Sequence, residues 1–298
     1  DLMPKIAASP GVTLLATNPL LLTILALLFA TGKRLPNQRV ELYRMVVISM
    51  IENWRLAQTD HPSRLFERIQ PRDILRVLAE LSFWLHSQLP GGTMTAPQWQ
   101  AQVSSQLVKS DLCTEKEAAA LTEDFLDHAR RENGLLTERS PGRLGFFHLT
   151  LEEYLAAWKI AHKPQEERQR ILSERWPDPY WEEVLLLTAG ELQDGEEDAL
   201  KNFLLSLLAL DSDDPQLAGR PALLAGRALA DIQNRKRSLN ELVIPALQAA
   251  AQDADPISRR PHTPGRVPVA TRAARCRSGR RCPTGCLPPP AACGPAAG

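Results

Sequence analysis

His148 and Thr150 stand two residues apart in the string "FFHLT", just ahead of a helical run. Imidazole changes charge most readily near neutral pH, and its N–H bonds an anionic oxygen more strongly when the ring is protonated. Placed between an apolar strand end and Thr150, a residue type that caps helices, His148 equally suits a structural or solvent-facing role. The neighbouring carboxylates Glu152 and Glu153 would do acid–base work only if both faced one substrate. Adjacent residues on a helix point ~100° apart, so a favourable interaction with the helix dipole is the expected role for this first-turn pair. Four of the five cysteines, Cys276, Cys282, Cys286 and Cys293, fall late in the chain. Their spacings differ from Cys-x-x-Cys knuckles and no histidine accompanies them closely, so no metal site is expected.

The elements that must position His148 are legible on either side of it. "GLLTER" and "RLGFFH" flank Ser140, Pro141 and Gly142, which reads as a hairpin. "LTLEEYLAAWKIA" follows at once as a helix, with Tyr154, Leu155 and Trp158 on its apolar side. Ahead of the hairpin every element reads as helix. Pro19 suits a first helical turn in "NPLLLTILALLFATG", and Gly32 stands where a C-terminal cap belongs. That helix is apolar nearly all round and is expected to be buried. "RVELYRMVVISMIENWR" places Val40, Tyr43, Val47, Met50, Ile51 and Trp54 at helical spacing. After a break at Asp60 to Ser63, Pro71 opens the next helix, Thr95-Ala96-Pro97 starts another, and "EKEAAALTEDFLDHARREN" is a third, with "HARREN" as a solvated face.

Beyond Pro164 the chain returns to helices separated by Asp-, Pro- and Gly-rich turns, as in an α-solenoid of HEAT-like type. Trp176, Tyr180 and Trp181 are expected to begin it by packing against the winged helix. Beyond Asp255 the composition turns to Arg, Pro, Gly, Cys and Ala without apolar period, which predicts disorder, and an out-of-frame or truncated terminus. The fold class is therefore mainly α: a helical arm over 1–60, a winged-helix domain with a short β-hairpin over 61–163, helical repeats over 164–254 and a disordered tail over 255–298.

Lys plus Arg equals Asp plus Glu, 35 each, so a dominant nucleic-acid footprint is not expected. The most apolar segment, Leu20 to Ala30, is about half the length that crosses a bilayer and is followed by Lys33 and Arg34. No membrane partner is expected, and one cysteine in the helical body suits a cytoplasmic protein. Asp1 opens the chain without a signal pattern, so the true start is expected upstream.

Two strings carry a family resemblance. "LATNPLLLTILALLFATGKRLPNQRVELYRMVV" resembles the helical segment after the nucleotide-binding core of NACHT-type STAND NTPases, and "FFHLTLEEYLAA" is similar to the winged-helix string of the same family. Order and separation also match. The resemblance implies that Pro19 packs on an adenine and that His148 reaches the phosphates of ADP, which locks the closed state through the winged helix. It implies ATP/ADP with Mg in the complete protein, a ligand or protein sensed by the helical repeats, homo-oligomerisation, and a role in signalling or defence.

No Gly-x-x-x-x-Gly-Lys-Ser/Thr loop and no apolar strand ending in acidic residues occurs in the sequence. The chain by itself is therefore expected to bind no cofactor and to hydrolyse no nucleotide, as a regulatory fragment of an ATP-dependent switch. No nucleophile, base and orienting group can be assembled from any motif. A winged-helix DNA-binding regulator is the first alternative, but "LTEDFLDHARREN" mixes Glu123, Asp124 and Asp127 with Arg130 and Arg131. A helical protein-interaction scaffold is the second.

Overall fold

Proline and capping residues set most helix starts in this molecule. In the computed structural model, α1 (Leu2–Ala8) precedes α2 (Pro19–Ala30), whose first residue is the proline, and α3 (Arg39–Leu56) follows the Gly32 turn at φ +71°. The structure describes residues 2–8, 12–13, 16, 19–30, 32, 34–36, 38–56, 69–89, 91–131, 135–193, 195, 198–232 and 237–254, all within the compact unit Asp1–Arg259. The expected break at Asp60 to Ser63, the side chain of Trp54 and the tail beyond Asp255 lie outside the described residues.

Pro71 opens α4 (Pro71–Gln88), and a two-residue strand β1 (Met94–Thr95) leads into α5 (Ala96–Lys109). Thr95 begins α5 with a capping box in which its backbone N–H donates to Gln98 Oε1 at 2.9 Å. Ahead of α6 (Glu115–Arg131) the Thr114 backbone N–H and hydroxyl both donate to Glu117 Oε2, at 3.0 and 2.8 Å. β2 (Leu136–Ser140) and β3 (Arg143–Phe146) then form the expected hairpin around Pro141 and Gly142. The sheet is antiparallel in the order β1-β3-β2, with Met94 opposite Leu144. Helix, short strand, two helices and a two-stranded wing make a winged helix. Trp99 of α5 locks wing to helices: its indole N–H donates to the Leu144 carbonyl at 3.0 Å and its ring meets Phe146 edge-on.

α7 (Leu149–Ala161) is the central strut, packing most extensively on α4 and on α9 (Glu182–Gln193), and also on α3. Leu151, Tyr154, Leu155, Ala156, Ala157 and Ile160 are all buried, so the reading of Tyr154 and Leu155 as core holds, with Trp158 packed partly buried against it. α8 (Gln165–Arg175) leads to a 3-10 turn, Pro179–Trp181. After α9 come α10 (Ala199–Leu208), a 3-10 turn Pro215–Leu217, α11 (Arg220–Asp231) and α12 (Arg237–Ala254). α9 belongs to two cores at once: Val184 and Leu187 join the winged-helix core, while Leu185, Leu186, Ala189 and Leu192 join a second one with α8, α10, α11 and α12. That double duty explains the unbroken "VLLLTA" run, since a helix covered on both sides has no polar face to show.

Tyr180 and Trp181 do join the winged helix, against His86 and Phe83 of α4, whereas Trp176 turns to the second core. α2 departs from the expectation of complete burial. Leu21, Leu25 and Leu28 are inside, yet Leu27 is 62% exposed and Leu22 lies near the surface too. An apolar helix cannot by itself say which neighbours cover it.

Candidate functional site

His148 lies between β3 and α7 in extended backbone, at φ −140° and ψ 138°, and is itself the N-cap of α7. The sequence offered Thr150 for that role; instead the Thr150 backbone N–H donates to His148 Nδ1 at 3.3 Å, with Thr150 Oγ1 2.8 Å from the same nitrogen. The β3 end and the helix start present the ring together, flanked by the exposed apolar side chains of Phe147 and Leu149. Burial, and the charge of Arg139 on β2, hold the imidazole below its ordinary value. Nε2 makes no hydrogen bond to any described residue, so the half-buried ring has one nitrogen committed to its own helix and one available outward.

Pro19 is exposed at the first position of α2. The two sequence-predicted residues thus head different helices, each where the chain enters a helix from a loop.

Directly behind His148, α7 carries a buried polar cluster that the sequence reading did not anticipate. Glu152 and Glu153 are not a surface pair tuned to the helix dipole: Glu152 is 1% exposed and Glu153 8%. The Glu152 carboxylate lies 3.0 Å from His86 Nδ1, and His86 Nε2 is 3.2 Å from the Tyr180 carbonyl, the His86 ring stacking on the Tyr180 ring at 4.0 Å. Glu153 is pushed up to about 7, first by burial and then by the nearby charge of Glu183, with His86 and Arg39 acting in the opposite direction. Arg39 of α3 bridges Glu183 of α9 and Asp231 of α11. One turn on, Arg44 pairs with Glu191 at 3.0 Å. Tyr43, between them on α3, is pushed up to about 12, first by burial and then by Glu183, with Thr150 and Arg39 acting in the opposite direction.

His86 was missed because "FWLHSQ" looks like an ordinary amphipathic helix end. The only local hint was a histidine at the helical spacing of the buried Leu78, Leu81 and Leu85. The cluster's carboxylates face cations and rings of neighbouring helices. An open pocket of about 520 Å³ does exist, bordered by Arg72, Arg76, Trp158, Lys159, His162 and Lys163. It sits at the opposite end of α7 from His148, and its cations are engaged: Lys159 by Glu80, Lys163 by Glu167 and Arg76 by Asp73. Among the described residues no group of three or more His, Cys, Asp or Glu is arranged to hold a metal, and no helix is long and apolar enough to cross a membrane.

No curated protein and no solved structure matches this chain. Residues 39–160, from α3 through nearly the whole of α7, match the family described as "Winged helix-turn-helix domain C-terminal to NACHT". The match takes in Tyr43, His86, His148, Thr150, Glu152 and Glu153, and leaves Pro19 and the helices beyond α7 outside it. The helices and wing seen over these residues make a winged helix, so fold and match agree that residues 39–160 are similar to the winged helix-turn-helix domain found C-terminal to NACHT.

Proposed function

We propose that this chain is the regulatory part of an ATP-dependent switch, in which the winged helix closes on bound ADP and the helical array beyond α7 receives the signal. His148 is the residue that touches the nucleotide. The observation that carries this reading is the disposition of its ring: Nδ1 is held by Thr150, and Nε2 is left to face outward at the N-terminus of α7. A helix N-terminus favours an anion, and an imidazole N–H placed there donates to a phosphate oxygen. Arg139 adds positive charge close by.

In this reading the chain supplies two contacts to the nucleotide. His148 supplies a donor to phosphate, and Pro19, an exposed apolar ring at the start of α2, suits the face of a base. The cradle of backbone N–H groups that holds the remaining phosphates, and the ligands for Mg, belong to a nucleotide-binding core that would pack on this face. In the assembled protein ADP bridges the two, and its exchange for ATP releases the winged helix. The helices of residues 164–254, which we take as a HEAT-like array, sense a protein or other ligand, with homo-oligomerisation following release. α6 occupies the position of a recognition helix, yet it bears Glu115, Glu117, Glu123, Asp124 and Asp127 against few basic residues, which favours protein partners over DNA.

The test compares ADP and ATP affinity in the complete protein that bears this chain together with a nucleotide-binding core. His148→Ala should weaken ADP at least ~10-fold, as expected for loss of a charge-assisted hydrogen bond, and leave ATP nearly unchanged. Equal ADP affinity in the two proteins would sink the reading and favour a nucleotide-independent scaffold.

A further inference from the structure

Two contacts at one nitrogen settle how His148 is protonated. The Thr150 backbone N–H only donates, so His148 Nδ1, 3.3 Å away, must carry a lone pair rather than a proton. Thr150 Oγ1, 2.8 Å from the same nitrogen, then has one role toward it: the hydroxyl donates. With that proton committed, the Thr150 oxygen is left as an acceptor. Both bonds therefore run toward the ring, from the Thr150 backbone N–H and from the Thr150 O–H to His148 Nδ1.

We propose that Thr150 is a positioning residue that fixes His148 as the neutral tautomer protonated on Nε2, making its outward ring N–H a preset donor for a phosphate oxygen. The inference rests on the nucleotide reading only for the identity of that acceptor. Adding a second proton to the ring converts Nδ1 into a donor, which withdraws the acceptor from the Thr150 N–H and forces the Thr150 hydroxyl to turn from donor to acceptor. Both changes oppose the cation, in the same direction as the effects of burial and of Arg139 on β2.

The experiment needs no nucleotide. In the full 298-residue chain, labelled with ¹⁵N in its six histidines, two-bond ¹H–¹⁵N correlation spectra across pH report tautomer and titration of each ring, and His148→Ala identifies the His148 signals. The wild type should show one tautomer, with Nδ1 as the unprotonated nitrogen and a midpoint below that of an ordinary histidine. Thr150→Val, which keeps the shape and removes the hydroxyl, should give a mixture of tautomers and an upward shift of the midpoint. Thr150→Ser should restore the wild-type spectrum, and Thr150→Ala stands in if the valine variant does not fold. A wild-type proton on Nδ1, or an unchanged spectrum in the Thr150→Val variant, would overturn the assignment. Because ADP is absent, failure here is distinct from failure of the ADP-affinity comparison in the complete protein.

Discussion

His86 Nδ1 and Glu152 Oε1 lie 3.0 Å apart with both residues sealed from solvent, so the strut helix α7 is pinned to α4 by a polar bond inside an apolar core. Such a pair adds little against a well-packed apolar alternative, but removing one member strands the other. His86→Ala should therefore destabilise the chain by about 3–5 kcal/mol in urea unfolding at neutral pH. The double variant His86→Leu/Glu152→Leu should recover much of that loss. A single-variant cost below about 1 kcal/mol would show that the pair is dispensable.

Glu153 sets a pH dependence whose sign follows from its raised value. The folded state holds this proton up to about 7, whereas an ordinary glutamate releases it near 4.5. Between those values the native state binds more protons than the unfolded chain, so stability is fully present below about pH 4.5 and falls as pH rises through about 7. The stability lost by full ionisation is on the order of 3 kcal/mol. Glu153→Gln should flatten the stability profile between pH 5 and 8. His148, held below its ordinary value, contributes in the opposite sense on the acid side, so the comparison is best made against the same variant in a His148→Ala background. Parallel profiles for wild type and Glu153→Gln would refute the assignment.

Arg39 is the tie between α3 and the helices of the second core, since one guanidinium serves Glu183 and Asp231. Arg39→Ala leaves two partly buried carboxylates facing each other without their cation. The expected loss is about 2–4 kcal/mol, with faster amide exchange in α9 and α11 than in α5 and α6. The exposed pair Arg237–Glu241 is the internal control, and its disruption should cost less than about 0.5 kcal/mol. Uniform loss of protection across all helices would instead mean that Arg39 supports global stability rather than this seam.

Gly92 approaches the same buried carboxylate from the loop ahead of β1. Its φ is +61°, and a Cβ there would meet Glu152 Oε2 at 2.8 Å. Gly92→Ala should combine left-handed strain with a contact the buried glutamate cannot easily yield, for a loss of about 1–3 kcal/mol. Gly32→Ala, with comparable φ and open space around it, measures the strain alone. Equal losses at the two positions would place the whole effect in the backbone.

Much of the architecture could be read before any coordinates, because it rests on interactions between residues close in sequence. Pro19 and Pro71 open helices, Thr95-Ala96-Pro97 starts another, Gly32 turns the chain at positive φ, and Pro141-Gly142 closes a hairpin. Each is decided within a few residues, where backbone sterics and local hydrogen bonds dominate. The apolar spacing of Val40, Tyr43, Val47 and Ile51 likewise marked the inner face of α3 without naming what it would meet. β1 escaped notice because two residues cannot show a period; Met94 and Thr95 become a strand only when β3 arrives about fifty residues later to pair with them.

Tertiary structure alone decided the chemistry behind His148. Glu152 and Glu153 looked like solvated helix-start carboxylates, and nothing within their own helix could say that α4, α9 and the Tyr180 turn would close over them. His148 itself was legible as a candidate, but its role as N-cap, and the Thr150 bonds that orient it, depend on where β3 releases the chain into α7. α2 shows the same limit from the other side, for its leucines are alike in sequence while Leu25 is sealed and Leu27 open. Sequence determines which residues want burial and which backbone turns are permitted. Which polar group ends up beside which is settled by packing of distant segments, where desolvation and partner geometry, rather than local propensity, set the energy.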